Sequence, residues 1–495
     1  MTVEPPATRT RGRRGDYDAI VIGSGVGGSV TAGLLAREGA RVLVLEKNPQ
    51  LGGVLASYRR DGFKLDFGSH LIPRGERGAL AAALRRAGLD EPRFLTHRIP
   101  VRSRGMFEIT APPTRAGLPA VALEAARLLD LSTAERAHLA RMLFQLFTFT
   151  EWELVRWDRR TVDDFILEHT EHPGVYFLFS FLASIFFVLP PWQVSAGEAI
   201  RCLRGVIGSY RLSYVEGGMD SISNALLGLV TRADGDLVAK ARVISIEPGA
   251  HAITVATRDG AEYRAPVVAA NLAPADLLRL VDADLPADYR ARVAAIRGSG
   301  NAHQLKLALR RPLVAEGCLI GGVSLGGLTL KDLSLELMRR TVSSIDAGSV
   351  SDPLAIYAPV PTNYDPSLGP GQLIVASIYG PVRDDPADPP GIWRERAMAA
   401  MRSIIPNLDD ELLFAEFTPI PAIGGWMGKS SRAAICNGQF PGQVGRERLP
   451  VTTPIRGLYL VGDGAGGRGI GTELAASSAM EAVDAIHAAV ARRAA

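Results

Sequence analysis

The sequence predicts an α/β protein whose first domain is a parallel sheet assembled from both ends of the chain. Two observations carry this. Near the N-terminus a short apolar run meets a glycine-rich turn and then a helical pattern, and near the C-terminus another apolar run does the same. Between them the pattern is first helical and then rich in strands. A second domain must therefore interrupt the first.

In the N-terminal unit, Ala19 to Ile22 is continuously apolar, as a strand buried on both faces is. Ser29 to Arg37 reads as a helix ended by Gly39, and Arg41 to Leu45 as a second strand. Strand, turn, helix and strand within about thirty residues make a βαβ unit. The turn is Gly23-Ser24-Gly25-Val26-Gly27-Gly28. Gly23 permits the tight turn, Gly25 lets the backbone approach a pyrophosphate, and Gly28 lets helix and strand pack closely. Val26 and Gly27 lie at the helix N-terminus, whose free N–H groups favour an anion. Glu46, followed by Lys47, ends the second strand, where a carboxylate can bind the ribose hydroxyls of an adenosine. This is a Rossmann-type dinucleotide site. The turn alone admits either NAD or FAD.

The C-terminal unit separates the two. Leu458 to Val461 is a strand ending in Gly462-Asp463, and Gly471-Thr472-Glu473 leads into a small-residue helix. A carboxylate at that strand end can accept hydrogen bonds from ribityl hydroxyls. The helix N-terminus can stabilise negative charge near a reduced flavin ring. A strand ending in Gly-Asp before a final helix resembles the FAD-binding pattern of the glutathione-reductase-like flavoproteins.

The interrupting segments differ in character. Ala79 to Ala87 and Leu118 to Trp157 are helical, with Ser132 and Glu135 spaced as a capping box and Thr161 to Asp164 similar. Tyr176 to Leu189 carries five Phe and one Tyr, as a buried helix or a tunnel wall would. Strands follow at Arg242 to Ile246, Ala252 to Thr257, Gln304 to Leu309, Leu354 to Val360 and Leu373 to Tyr379, with a helix at Trp393 to Ile404. The expected division is a disordered tail at 1–15, a Rossmann-type FAD domain from 16–78, 211–300 and 441–495, and a discontinuous α+β substrate domain. The last comprises a helical part at 79–210 and a sheet-plus-helix part at 301–440.

Bulk properties exclude several classes. The chain has 495 residues and a net charge of +3, which gives no reason to expect a nucleic acid partner. Cys202, Cys318 and Cys436 are scattered, so no zinc site or disulfide framework is expected, and a reducing, cytoplasmic setting fits. Arg13-Arg14 is followed by no apolar run of an export signal, and no run reaches the ~18–20 residues of a membrane span.

Three further stretches narrow the reading. They are Leu51-Gly52-Gly53, the segment Phe63 to His70 with Asp66-Phe67-Gly68, and Tyr214-Val215-Glu216-Gly217-Gly218-Met219. In this order, with Gly462-Asp463, they resemble the FAD-dependent amine oxidase/phytoene desaturase superfamily, and within it the phytoene dehydrogenase-like branch of carotenoid desaturases and retinol saturases. The resemblance implies non-covalent FAD. Gly23, Gly25, Gly28 and Glu46 would hold its ADP half, and Gly52 and Gly53 would run along the flavin. Val243 would meet the adenine edge, and Asp463 with the 470–473 segment would hold the ribityl chain and ring. One departure is Val54, where the superfamily often has Arg.

The flavin takes a hydride at N5, so the protein must place a C–H bond over it and exclude water. By resemblance, His70 would lie near the flavin and Lys306 would occupy the strand that carries a flavin-linked lysine in amine oxidases. Glu473 could border the ring. Trp426, Tyr214, Phe179 and Phe186 are candidate pocket walls, for each of which plain core packing is the competing account. The leading expectation is a dehydrogenase or desaturase of a hydrophobic, isoprenoid-like molecule, with peripheral membrane contact left open. The alternatives are an amine or amino-acid oxidase making hydrogen peroxide, a flavin-dependent isomerase or saturase without net oxidation, and a non-enzymatic FAD-binding protein.

Overall fold

The computed structural model describes residues 4–12, 17–68, 71–104, 108–112, 114–321, 334–347, 349, 356–380, 382 and 390–494. Its central feature is a five-stranded parallel sheet in the order Leu458–Leu460, Val267–Ala270, Ala19–Ile22, Val42–Leu45, Asp236–Val238. All five strands are buried along their length, and apart from Asp236 they read as unbroken apolar runs.

Alternate residues of each strand serve opposite faces. Ala19, Val21, Val42 and Val44 pack against the helices Val26–Arg37, Asp220–Arg232 and Gly471–Ala494. Ile20, Ile22, Leu43 and Leu45 pack on the other side with Val255 and Tyr263. Those two belong to an antiparallel sheet of Glu262–Ala265, Ile253–Thr257 and Val243–Pro248.

The second half is built on a six-stranded sheet. Its order is Leu412–Thr418, Asn301–Leu309, Gln372–Gly380, Ile356–Pro359, Cys318–Gly321, Arg102–Arg104. Asn301–Leu309 runs antiparallel to Gln372–Gly380 without a register break, from Asn301 opposite Gly380 to Leu309 opposite Gln372. The helix Pro390–Ile404 buries Trp393 and Met401 against it.

A helical unit completes the chain. Leu118–Leu128, Thr133–Thr148, Glu151–Trp157, Val162–Leu167, Pro173–Phe187 and Ala196–Ser209 surround a core that includes Met142, Phe165, Tyr176 and Phe187. The boxes expected at Ser132/Glu135 and Thr161/Asp164 form with both reciprocal bonds, and so does a third at Thr150/Glu153.

Within the tail expected at 1–15, residues 4–12 are described and reach the edge of the parallel sheet. Arg9 forms a parallel bridge with Val238, its N–H donating to the Leu237 carbonyl at 2.8 Å. Its guanidinium meets Asp236, a buried carboxylate, at 2.7 Å. The reason is physical: the edge strand offers unpaired backbone groups, and a buried carboxylate needs a cation.

Candidate cofactor and substrate site

A cavity of about 580 Å³ lies at the carboxyl ends of the parallel strands. This is where open α/β sheets bind ligands, at the point where the strand order reverses. Gly23, Gly25, Val26, Gly27, Glu46, Lys47, Gly53, Val243, Asp463, Gly471 and Thr472 all line it. Residues drawn from widely separated stretches of sequence thus meet around one space.

Three of the sequence candidates stand just behind that lining. A Cβ on Gly28 would sit 1.8 Å from the Gly23 carbonyl oxygen, so only glycine lets the helix follow the strand so tightly. Gly462 is in the left-handed region at φ +97°, and it abuts Gly27 so closely that a Cβ there would fall 2.7 Å from the Gly462 Cα. Gly52 donates its N–H to the Ser24 hydroxyl at 3.0 Å. Asn271 sits at the centre of this glycine cluster, facing Gly23, Gly25, Gly27 and Gly462. Sequence reasoning missed it. The available signal was its position: Asn271 directly follows a buried strand, as Gly23 follows Ala19–Ile22.

Glu46 is 4% exposed and braces the turn. It accepts from the Ser24 N–H at 2.9 Å, the Ser24 hydroxyl at 2.7 Å and the Asn48 N–H at 2.8 Å. Lys47 turns away from the glycines and donates to the Trp426 carbonyl at 2.8 Å and the Gly425 carbonyl at 3.1 Å. Asp463 receives the Lys429 ammonium at 2.5 Å and the Cys436 N–H at 2.9 Å. Burial alone would raise the Asp463 carboxyl. The Lys429 charge and its hydrogen bond outweigh burial and hold it below the ordinary value. Lys429 was a second omission of the sequence reading.

These features suit a dinucleotide flavin. The glycine cradle leaves backbone exposed where a Cβ on Gly25 or Gly53 would meet Asn271 or the Gly25 backbone at 2.8–2.9 Å. The helix Val26–Arg37 has no side-chain cap, so its first N–H groups face the cavity free of one. When bound there, FAD supplies the two-electron chemistry. The protein's part is to hold it, to shape the space beside it and to keep water out.

The far part of the cavity is walled by Ser184, Ile185, Phe186 and Val188 from the helical unit, and by Ile356, Tyr357 and Tyr379 from the six-stranded sheet. Trp426 closes one side, its ring stacked on Phe67 at 3.8 Å and 2°. Gln304 donates to the Gly68 carbonyl at 3.3 Å, while its Oε1 is buried with no hydrogen-bond partner among the described residues.

Other candidates lie elsewhere. Phe179, seven residues before Phe186, packs in the helical core beside a separate small void. A helix rises 1.5 Å per residue, so Phe179 sits about 10 Å further from the cavity end. Tyr214 is fully buried on the strand Ser213–Val215, its hydroxyl held by Asp66. Glu473 turns its carboxylate to the N–H groups of Ala79 and Leu80. Lys306 is 1% exposed and lies off the cavity. Its ammonium donates to the Tyr58 hydroxyl at 3.0 Å, stands 3.9 Å from Glu416 and faces the Phe67 ring at 5.8 Å. Burial lowers it to about 8, with Glu416 and Asp66 opposing the shift. His70 falls outside the described residues. Among those residues no cluster could hold a metal, and no helix is long and apolar enough to cross a membrane.

Two kinds of curated protein match the chain locally. One segment is 53% identical over 70 residues to a chloroplastic prolycopene isomerase of Daucus carota, covering 14% of this chain and 11% of that one. The chain is also 44% identical over 63 residues to the all-trans-retinol 13,14-reductase of Homo sapiens, covering 13% and 10%. The matched segments thus span about a tenth of those relatives. Over the whole chain, an oxidoreductase from Methanosarcina mazei superposes with a TM-score of 0.69 at 20% identity, covering 94% of this chain and 99% of that one. Cyclohexylamine oxidase of Brevibacterium oxydans gives 0.65 at 16%, covering 96% and 100%. At such identities these two establish the fold. The profile described as flavin containing amine oxidoreductase matches residues 27–487. The chain therefore belongs to the flavin containing amine oxidoreductase family, and FAD is its cofactor.

Proposed function

We propose that the protein is an FAD-dependent dehydrogenase or desaturase that passes a hydride from a hydrophobic, isoprenoid-like molecule to flavin N5. One observation carries this reading. The part of the cavity formed by the helical unit and the six-stranded sheet presents no charged side chain among the described lining residues, apart from Lys429, which is paired with Asp463. The other charged lining groups, Glu46, Lys47, Arg242, Asp276, Arg279 and Asp463, come from the nucleotide-binding half. An apolar pocket with few polar groups favours an apolar ligand. A protonated amine would lose its hydration there and gain no carboxylate.

A second reading, isomerisation or saturation without net oxidation, is favoured by the local likeness to prolycopene isomerase and retinol reductase. In either case Phe186, Ile185 and Tyr379 would orient the chain of the substrate and exclude water from the flavin.

The test is anaerobic mixing of the holoprotein with polyene lipids and, separately, with primary amines, following the flavin absorbance. Bleaching by a polyene and not by amines is the expected result. Bleaching by amines, with peroxide formed on admitting air, would overturn it. Conversion of a polyene only when the flavin is reduced beforehand would move the assignment to the second reading.

A further inference from the structure

The segment Gly425 to Lys429 belongs in sequence to the substrate half, yet it lies across the nucleotide groove. It ends the helix Ile420–Met427 and lines the same cavity as the phosphate-binding turn. On one side it is fastened to the end of the second parallel strand. Lys47 donates to the Gly425 and Trp426 carbonyls at 3.1 and 2.8 Å, and the Asn48 amide donates to the Trp426 carbonyl at 2.9 Å. In the middle, the Trp426 indole N–H donates to the Gly53 carbonyl at 3.0 Å. On the other side, Lys429 reaches Asp463 at 2.5 Å and the Ala434 carbonyl at 2.9 Å.

The attachment points have a common meaning. Glu46 and Lys47 mark the adenosine end of the groove, Gly53 abuts the phosphate-facing Gly25, and Asp463 marks the ribityl end. A segment tied at all three borders the groove from its adenosine end to its ribityl end. The helix C-terminus contributes as well: its last carbonyls are unpaired within the helix, and Lys47 satisfies them with a positive charge where the dipole is negative. Gly428, at φ +72°, reverses the chain directly beneath the Lys47 side chain, where a Cβ would fall 2.2 Å from the Lys47 Cε.

We propose that residues 425–429 form a strap over the FAD groove, latched by Lys47 and Lys429, and that lifting the strap limits both the entry and the exit of FAD. This rests on FAD lying in the groove. It assigns Lys47 and Lys429 as positioning residues that act through the strap.

Three measurements test it. The first is FAD release from the holoprotein on dilution, and FAD uptake by the apoprotein, both followed by flavin fluorescence. Lys47→Met and Lys429→Met should each speed release and uptake about tenfold or more, since each removes charge-assisted hydrogen bonds. Lys47→Arg and Lys429→Arg should return both rates toward wild type. A lysine that merely touched the phosphates would, when lost, speed release alone. Unchanged rates, faster release without faster uptake, or Arg variants as fast as Met variants would each overturn the strap.

The second measurement uses Gly428→Ala, which displaces the Lys47 latch without removing it and should also speed both rates. The third needs no variant. Hydrogen exchange of the 425–429 amides in the wild-type holoprotein reads strap opening directly. FAD release should never outpace that opening, and release faster than opening sinks the proposal. A wild-type protein that takes up no FAD would fail the cofactor assignment itself, a result distinct from FAD that binds and leaves independently of the strap.

Discussion

The carboxylate of Glu473 accepts the backbone N–H of Leu80 at 3.3 Å, and that of Ala79 as well, so one helix supplies the N-terminal cap of another. The helix Ala79–Arg86 begins at Gly78, which has no side chain to cap it. Glu473→Ala should therefore lower stability by about 1–2 kcal/mol, the usual worth of a lost cap. Glu473→Gln keeps an acceptor and should lose less. Urea unfolding of the two variants checks this, and equal losses would count against the capping role.

Gly27 and Gly462 touch backbone to backbone, so a methyl group has nowhere to go. Gly27→Ala should weaken FAD binding at least tenfold, because the helix N-terminus must move off the cavity. Gly208 offers a control: it is helical, and a Cβ there meets nothing within 4 Å. Gly208→Ala should leave FAD affinity at the wild-type value. Titration of both apoproteins with FAD decides it.

Lys306 should leave a mark on stability at alkaline pH. Its folded value is about 8, below the ordinary 10.5, because burial disfavours the ammonium. Between these values the unfolded chain holds more protons, so stability rises with pH. The contribution is fully present above about 10.5 and lost as pH falls through 8. In Lys306→Met that rise should vanish. Denaturant midpoints from pH 7 to 11 measure it, and an identical slope in the variant would show that Lys306 does not titrate in this window.

Phe186 and Phe179 should separate binding from stability. Phe186 faces the cavity, so Phe186→Ala should raise KM for an apolar substrate severalfold with a modest cost in stability. Phe179 is packed in the helical core, and Phe179→Ala should cost about 3–5 kcal/mol with a smaller change in KM. Equal KM effects would remove Phe186 from the substrate wall.

The parts of this fold legible in the sequence are those set by local chemistry. The turn at Gly23 to Gly28, the strand before it and the box at Ser132/Glu135 each depend on residues a few positions apart. The box at Thr150/Glu153 was equally local, and its close neighbours in a long helical stretch hid it. Non-local partners were not legible. Lys47 lines the cavity beside Glu46 as its place in the sequence suggests, yet the carbonyls it holds, those of Gly425 and Trp426, lie far along the chain. Tyr214 was read as a pocket wall, yet Asp66 takes its hydroxyl. An aromatic or a lysine carries no sign of which distant group will satisfy it.

The pairing of Gly27 with Gly462 also dictates when the cofactor can be captured. The ribosome makes the phosphate-binding turn long before the strand Leu458–Leu460, with more than 400 residues in between. At common synthesis speeds that interval is about twenty seconds to a minute and a half. Throughout it, the nascent chain holds half a groove whose opposite wall has not been made. Flavin loading is therefore a step that follows synthesis of the segment holding Gly462. A premature stop shortly before residue 463 should produce a colourless protein.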